Sequence, residues 1–325
     1  MTVAVSVVVP TCRRPDLLER CLAALVAQCC DPATFEIVIA DDAVCECTRV
    51  QVESWAERCR ETGPAIHYLP VPATRGPAAA RNAGWRRASG RVIAFTDDDC
   101  IPGPGWLAAG LGAIHAGASG VSGRVVVPLP PRATDYARNV ASLGTSEFVT
   151  ANCFYRRETL ASVGGFDERF AAAWREDSDL YFTLVERGEP LAFAPDAVVI
   201  HPVRPAPWGV SLWQQRKSRF NALLYKKHPV LFRQRTQRSP RRHYYATVAA
   251  LAALLTGVVG RRPFVASAGF TLWSALTGEL AIKRLRGVSH DPAHVAEMIL
   301  TSAAIPPLAV FWRLRGAIEF RVPFY

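Results

Sequence analysis

The chain has 325 residues, of which half are hydrophobic and a fifth are charged. This composition excludes an intrinsically disordered chain and a simple bundle of membrane spans, and the length allows one large domain or two smaller ones. The net charge of +10 is unevenly distributed: no Asp or Glu occurs between residues 197 and 278, whereas thirteen Lys or Arg occur within 204–262. Those thirteen leave −3 for the remainder, so the basic character belongs to one stretch of the chain.

The nine cysteines all lie between Cys12 and Cys153. Their number is odd, their spacing is irregular, and the first residues, MTVAVSVVVPTCRR, lack the basic and apolar regions of a signal peptide. We therefore expect reduced cysteines in a cytoplasmic compartment. Cys45 and Cys47 could form a metal-binding pair, but no second pair follows at the spacing of a zinc site, which disfavours that interpretation.

The first hundred residues alternate between β-branched runs and helical patterns. Strands are predicted at 3–9, 36–40, 65–69 and 91–95, and helices from Pro15 onward, at 49–60 and at 77–88. Repeated strand–helix units of this kind are typical of an α/β fold with a parallel sheet.

Three strand ends are candidate binding loops, because open parallel sheets bind ligands at the carboxyl ends of their strands. They are residues 10–13, 41–42 and 96–99. No G-x-G-x-x-G follows the first strand, where Pro10 occupies the position of the first glycine. This disfavours a dinucleotide-binding dehydrogenase.

Asp97, Asp98 and Asp99 follow the fourth predicted strand directly. Like charges in a partly desolvated site repel by about 4 kcal/mol per close pair at an effective dielectric of about 20. A divalent cation removes this penalty, and carboxylates suit Mg²⁺ or Mn²⁺, which bind one or two of them together with substrate phosphates. The alternative of a solvated acidic turn is disfavoured, because a buried strand precedes the run and an apolar Cys-Ile-Pro segment follows it.

Five segments together resemble the family 2 glycosyltransferases of the GT-A fold. They are VSVVVPTCRR, EIVIADDA, GPAAARNAGWRRASGRVIAFTDDDC, ANCFYRRETLASVGGFDERF and WREDSDL. The resemblance covers about residues 4–204, and the order of the five segments makes it specific. It implies a mostly parallel sheet sandwiched by helices, and metal-dependent transfer of a sugar from a UDP-, GDP- or dTDP-sugar to a hydroxyl acceptor.

The resemblance also implies roles for individual residues. The positions matched to nucleotide-sugar binding are Pro10, Thr11, Arg13, Asp42, Arg81, Asn82, Asp97, Asp98 and Glu176. Asp97 and Asp99 match the outer acids of the D-x-D motif, and His201 matches a histidine that can complete the Mg²⁺ or Mn²⁺ site. Asp177 matches the catalytic base. The chain departs from the family pattern near the base pocket, at Cys12 and at residues 43–44.

The chemistry of these residue types agrees with the resemblance. A metal can neutralise a leaving diphosphate, and a carboxylate can deprotonate the attacking hydroxyl. One base on the face opposite the leaving group implies inversion at the anomeric carbon. Asp177 and Asp179 would diverge by about 200° on a helix, so only one can face the site. Gly164 and Gly165 allow either a close approach to donor or acceptor, or a simple tight turn.

The C-terminal third differs in character. Residues 205–243 are basic with interleaved aromatics, and apolar segments follow at 244–260, 263–278 and 298–312, at or below the length of about 17–25 residues of a spanning helix. Because Arg261 and Arg262 join the first two segments, the positive-inside rule favours a re-entrant or interfacial hairpin over two full spans. We expect the basic stretch to contact anionic lipid rather than nucleic acid. The alternative is that its aromatics pack against the catalytic domain.

These observations predict three regions: a catalytic domain at 1–204, a basic membrane-surface linker at 205–243 and a membrane-associated helical region at 244–325. The predicted function is an inverting, metal-dependent glycosyltransferase at the cytoplasmic face of a membrane, as a peripheral, monotopic or short-hairpin protein, with a lipid-linked or cell-surface glycan acceptor. Two alternatives are a catalytically silent membrane-binding scaffold and a nucleotidyltransferase on a related sheet. The latter would need a glycine- and arginine-rich loop with a lysine after the first strand, which residues 10–14 do not provide.

Overall fold

A computed structural model describes residues 3–72 and 76–324. It divides into two compact units: Met1–Pro128 with Ala141–Val203, and Leu129–Val140 with Arg204–Tyr325. Nothing in the sequence pattern had indicated that residues 129–140 group with the C-terminal part of the chain.

The first unit contains a single sheet of eight strands. The strands are β1 (Val5–Thr11), β2 (Phe35–Asp41), β3 (Ala65–Pro70), β4 (Val92–Phe95), β5 (Ile101–Pro102), β6 (Gly120–Val126), β7 (Cys153–Arg156) and β8 (Leu191–Ile200). Their order across the sheet is β3-β2-β1-β4-β7-β6-β8-β5. The first four strands are parallel to one another, and β7 and β5 run antiparallel to their neighbours. The predicted α/β fold with a mostly parallel sheet is confirmed.

The helices up to residue 186 are α1 (Pro15–Val26), α2 (Glu46–Cys59), α3 (Pro77–Arg87), α4 (Trp106–His115), α5 (Asp135–Ala141), α6 (Arg157–Val163) and α7 (Glu176–Glu186), of which most of α5 lies in the second unit. Two of the three predicted helices, α1 and α3, begin at the predicted residue. Proline at the first helical position starts α1, and its buried face consists of Leu18, Cys21, Leu22 and Leu25.

Helix α2 begins three residues earlier than the sequence predicted. The carboxylate of Asp41 accepts hydrogen bonds from the backbone N–H groups of Ala43 and Cys45, at 3.0 and 2.7 Å. The turn after β2 therefore closes within a few residues, and the helix starts at Glu46.

The parallel register aligns the strand ends that carry the acidic residues. Thr11 at the end of β1 is opposite Asp41, and Val8 is opposite Phe95, so residues 96–99 continue from β4 beside the end of β1. Farther across the sheet, the backbone N–H of His201 donates to the carbonyl of Val126, which places this histidine at the end of β8. The candidate residues that follow β1, β2, β4 and β8 therefore all lie where the parallel strands of the sheet end.

The second unit is helical. After α8 (Val210–Gln214), a 3-10 turn (Gln215–Arg219), α9 (Phe220–Lys227), α10 (Pro229–Leu231) and a π-helical turn (Phe232–Thr236), three long helices follow: α11 (Arg242–Val259), α12 (Pro263–Leu285) and α13 (Pro292–Glu319). All three extend beyond the apolar segments seen in the sequence, because they continue through polar residues at their ends. Among the described residues, α12 and α13 are long and apolar enough to cross a membrane.

Glycines allow α11 and α12 to pack closely as a hairpin. A Cβ on Gly257 would lie 2.4 Å from the backbone nitrogen of Ala266, and one on Gly269 would lie 2.4 Å from that of Leu254. No larger residue fits at either position without separating the two helices.

Two glycines of α4 provide a test of the core packing. A Cβ on Gly110 would lie 2.3 Å from the ring of the buried Phe154, whereas a Cβ on Gly112 would meet no atom within 4 Å. We expect Gly110→Ala to lower the free energy of unfolding by about 1–3 kcal/mol through overpacking. Gly112→Ala should be neutral, or stabilise the helix by up to about 1 kcal/mol. Denaturant unfolding of both variants measures the difference; equal stabilities would contradict the packing described.

Candidate active site

The three consecutive aspartates after β4 have different surroundings. Asp98 is buried; it accepts a hydrogen bond from the hydroxyl of Thr11 at 2.8 Å and an ion-paired one from Arg14 at 3.2 Å. Burial raises the pKa of Asp98 to about 6, against the lowering effect of Arg14. Asp98 therefore connects the aspartate turn, residues 97–99, to the end of β1 and the loop that follows it. The Asp97 side chain is about a quarter exposed.

Arg81 connects two acidic segments that lie far apart in the sequence. Its side chain, 2% exposed, donates to Asp97 at 2.7 Å and to Glu176 at 3.0 Å. Burial opposes the charge on the guanidinium, but the two carboxylates raise the pKa of Arg81 above its ordinary value. A charged arginine between two acids thus holds the start of α7 against the aspartate turn.

Asp177, the predicted base, follows Glu176 in the first turn of α7 and is only partly buried. Desolvation raises the pKa of the Asp177 carboxyl, although hydrogen bonds from Ser178 and the charges of Arg175 and Arg81 oppose the shift. Burial and the neighbouring Asp177 also raise the pKa of Glu176 to about 7, against the effect of Arg81. The residue before the helix, Arg175, has a left-handed backbone with φ of 79°. Such conformations are uncommon for residues other than glycine and concentrate at functional sites.

Asp99, Cys100 and His201 bring their potential ligand atoms within 4.8 Å of one another, and all three residues are buried. The Nε2 atom of His201 lies 3.6 Å from a carboxylate oxygen of Asp99, which is too long for a hydrogen bond. The Nδ1 atom of His201 is buried without a hydrogen-bond partner. Burial raises the pKa of the Cys100 thiol well above its usual range. No other such group of three occurs in residues 3–72 and 76–324.

The residues expected around the nucleotide base lie at the ends of β1 and β2. Pro10 and Thr11 are buried, and the carbonyl of Thr11 accepts a hydrogen bond from the backbone N–H of Asp42 at 3.0 Å. The Asp42 carboxylate accepts one from the backbone N–H of Gly76 at 3.1 Å. Arg13 is exposed in a left-handed conformation, with φ of 55°, in the turn that follows.

Asn82 lies next to Arg81 on α3, but its amide contacts the loop after α6. It donates to the carbonyl of Phe166 and to Glu168, and it accepts from the backbone N–H of Phe166 and the indole of Trp85, all within 3.0 Å. A Cβ on Gly165 would lie 2.4 Å from the Asn82 side-chain oxygen. The close approach made by Gly165 is therefore to this helix, and the nucleotide contact implied for Asn82 stays a prediction.

Two residues that shape the site had no role assigned to them from the sequence. Arg14 contacts Asp98, although the resemblance had directed attention to its neighbour Arg13. Asp41 is fully buried and also accepts a hydrogen bond from the hydroxyl of Tyr68 at 3.1 Å. The only sequence signal for either was a polar residue beside a strand end.

Comparison with known proteins finds glycosyltransferases similar to this chain. Residues 6–164 match the model of glycosyl transferase family 2. Among curated proteins, the chain is similar to glycosyltransferase AglE of Haloferax volcanii, with 27% identity over 62% of this chain and 67% of that protein. It is also similar to validoxylamine A glucosyltransferase of Streptomyces hygroscopicus, with 27% identity over 70% of this chain and 57% of the relative.

A third relative is the pre-mycofactocin glycosyltransferase of Mycobacterium tuberculosis, with 31% identity over 50% of this chain. The matches span between 38% and 67% of the length of these three relatives.

The fold is that of a solved mannosyltransferase, PcManGT from Pyrobaculum calidifontis, whose structure contains GDP-mannose and Mn²⁺. The TM-score is 0.63 at 21% identity, over 96% of this chain and 88% of that one. This likeness confirms the GT-A fold. The relatives and the match of residues 6–164 to the family model support a glycosyltransferase enzyme.

Proposed function

We propose that this enzyme transfers a sugar from a nucleoside-diphosphate donor to a hydroxyl acceptor, with Mg²⁺ or Mn²⁺ at the aspartate turn and inversion at the anomeric carbon. The observation that carries the proposal is the Arg81 bridge, because it holds the aspartate turn beside the first turn of α7, where Asp177 lies. The GDP-mannose and Mn²⁺ in the mannosyltransferase of similar fold support the same chemistry.

Asp99 and His201 have positions and ligand atoms that fit a hard or borderline cation. The 3.6 Å between Asp99 and His201 Nε2 is less than two metal–ligand bonds of about 2.1 Å laid end to end, so one ion can contact both. A carboxylate suits Mg²⁺ or Mn²⁺ and an imidazole suits a borderline cation, whereas a soft thiolate favours Zn²⁺ or Cu⁺, so we assign Asp99 and His201 as ligands and Cys100 as a neighbour. Asp97 has a partly exposed carboxylate oriented by Arg81, and we propose it as a further ligand.

The positions of these residues suggest a separate role in the reaction for each. When bound, the cation would supply Lewis-acid stabilisation of the leaving diphosphate. Asp177 would accept the proton of the attacking hydroxyl, and its raised pKa suits this task because an effective base has a pKa close to the working pH. Thr11 and Asp42 would bind the base and ribose at the ends of β1 and β2, with Pro10 and Arg13 in the same loop. Glu176 and Asp98 would act by holding their neighbours in place.

The donor proposed is a UDP-, GDP- or dTDP-sugar, and the acceptor a lipid-linked or growing cell-surface glycan. The three long C-terminal helices support an acceptor presented at a membrane, and the eleven Lys and Arg within 204–242 support contact with anionic lipid on its cytoplasmic face. The regions 1–204, 205–243 and 244–325 would then be catalytic, surface-binding and membrane-associated. The match of residues 6–164 to the glycosyl transferase family 2 model favours this function over a silent scaffold or a nucleotidyltransferase.

Replacing the proposed base should separate chemistry from binding. We expect Asp177→Asn to lower kcat by about 10²–10⁴-fold, because the acceptor hydroxyl loses its proton acceptor, while donor binding survives. Transfer is measured with radiolabelled donor, and binding by calorimetry with the nucleoside diphosphate and Mn²⁺. Glu186→Gln at the exposed end of the same helix is the control and should retain activity. Simultaneous loss of binding and transfer in Asp177→Asn would remove its assignment as the base.

Replacement of the proposed metal ligands Asp99 and His201 should have a different effect from replacement of Asp98. We expect Asp99→Asn and His201→Ala to weaken Mn²⁺-dependent binding of the nucleoside diphosphate at least about tenfold, since each removes a ligand. Asp98→Asn should instead lower stability by about 1 kcal/mol through its contacts with Thr11 and Arg14, and keep the Mn²⁺-dependent increase in Tm. Thermal-shift titrations with a panel of nucleoside diphosphates measure both. An Asp98 variant that loses the metal effect as fully as the Asp99 variant would contradict this division.

Glu176 should make stability depend on pH. Because its folded-state pKa of about 7 lies above its usual value of 4.5, its favourable contribution is complete below about pH 4.5 and is lost as the pH rises through 7. We expect Glu176→Gln to gain stability relative to the wild type between pH 5 and pH 8. Denaturant unfolding at several pH values tests this, with Glu53→Gln on the exposed face of α2 as the control. A difference between Glu176→Gln and wild type that stays constant with pH would contradict the assignment.

A further inference from the structure

The α11–α12 hairpin has charged residues only at its two ends. Between Tyr244 and Gly278 the only charged residues are Arg261 and Arg262, which form the turn. At the other end, His243 lies 3.7 Å from Glu279, and Glu279 also pairs with Lys283. Helix α11 has 18 residues, which corresponds to a length of about 27 Å. The uncharged length therefore matches a hydrocarbon core of about 30 Å.

The surface of this hairpin suits lipid rather than water. Phe264 is 90% exposed, Val259 84% and Val258 61%, and further exposed apolar side chains lie along both helices. The hydroxyls of Thr256 and Thr271 donate to carbonyl groups one turn earlier in their own helices, so they need no water. A hairpin lying flat in the interface would need one charged face, and neither helix has one between its ends.

Helix α13, also apolar and long, is bound along its length by the basic stretch. The carboxylate of Glu297 accepts a hydrogen bond from the backbone N–H of Gly209 at 2.8 Å. Near the other end of α13, a Cβ on Gly316 would lie 2.4 Å from the carbonyl oxygen of Arg219. The segment between these contacts carries Arg216, Lys217 and Arg219. If α13 crossed the membrane, these cations would be carried into the hydrocarbon with it.

We infer that the α11–α12 hairpin crosses the bilayer completely, with the Arg261–Arg262 turn among the headgroups of the far leaflet, and that α13 stays at the near interface. A shallower, re-entrant hairpin would leave both guanidinium groups in hydrocarbon, where charge is unfavourable. The two arginines of the turn count against a full span under the positive-inside rule, but eleven Lys and Arg within 204–242 remain on the near side, so the excess of positive charge stays there. The inference rests on the proposed membrane association and extends it to a defined topology.

Cysteine accessibility in the full-length chain tests this topology. The protein is produced in bacteria, which are then converted to spheroplasts. The spheroplasts are treated with a membrane-impermeant maleimide polymer, before and after permeabilisation of the membrane. The native cysteines all lie within residues 12–153, in the first unit, so the wild type should react only after permeabilisation. We expect Arg262→Cys to react in intact spheroplasts. Lys283→Cys and Glu319→Cys, at the base of the hairpin and the end of α13, should gain one adduct over wild type only after permeabilisation.

Other outcomes would overturn the inference. If Arg262→Cys reacts only when detergent has dissolved the membrane, the turn is embedded in it. If Arg262→Cys reacts as soon as the membrane is permeabilised but not before, the turn lies on the near side. Labelling of Glu319→Cys in intact spheroplasts would show that α13 crosses the membrane. None of these readouts depends on sugar transfer. Recovery of the wild type in the soluble fraction would instead refute the proposed membrane association itself.

Discussion

The candidate site depends on one buried ionic contact, in which the guanidinium of Arg81 joins Asp97 to Glu176. The two acids are 79 positions apart in the sequence, on a loop after β4 and at the start of α7. Removing one partner of a buried ion pair typically lowers the free energy of unfolding by about 3–5 kcal/mol, because the remaining charge is left unpaired. The contact therefore constrains the position of both segments, and with them the distance between the aspartate turn and Asp177.

The remaining acids divide into those that build the site and those that face it. Asp98 binds Thr11 and Arg14, and Asp41 closes the turn before α2, so both carboxylates are used in holding loops. Asp99 instead lies beside a histidine whose second nitrogen has no partner. A run of three identical residues thus contains one structural anchor between two positions suited to metal and substrate.

Local pattern predicted the first four strands and their helices, because burial of β-branched runs and proline at helix starts are decided within a few residues. The acidic run at Asp97–Asp99 was a candidate from its residue types and position, whereas Asp177 and His201 were candidates only through the resemblance to the family. Local pattern could not show that the Asn82 amide bonds mainly to the loop at Phe166, since that depends on the packing of α3 against a segment 84 residues away. The length of α13 was missed because its polar ends are stabilised by contacts with the basic stretch.

Asp99 and His201 are proposed to hold a divalent cation beside the Arg81 bridge. Anomalous diffraction from crystals of the full-length protein, grown with Mn²⁺ and a nucleoside diphosphate, would locate that cation. We expect a manganese peak within about 2.0–2.3 Å of the Asp99 carboxylate and His201 Nε2, with Arg81 still contacting Asp97 and Glu176. A manganese peak bound only by the diphosphate, or by residues elsewhere in the sheet edge, would contradict it.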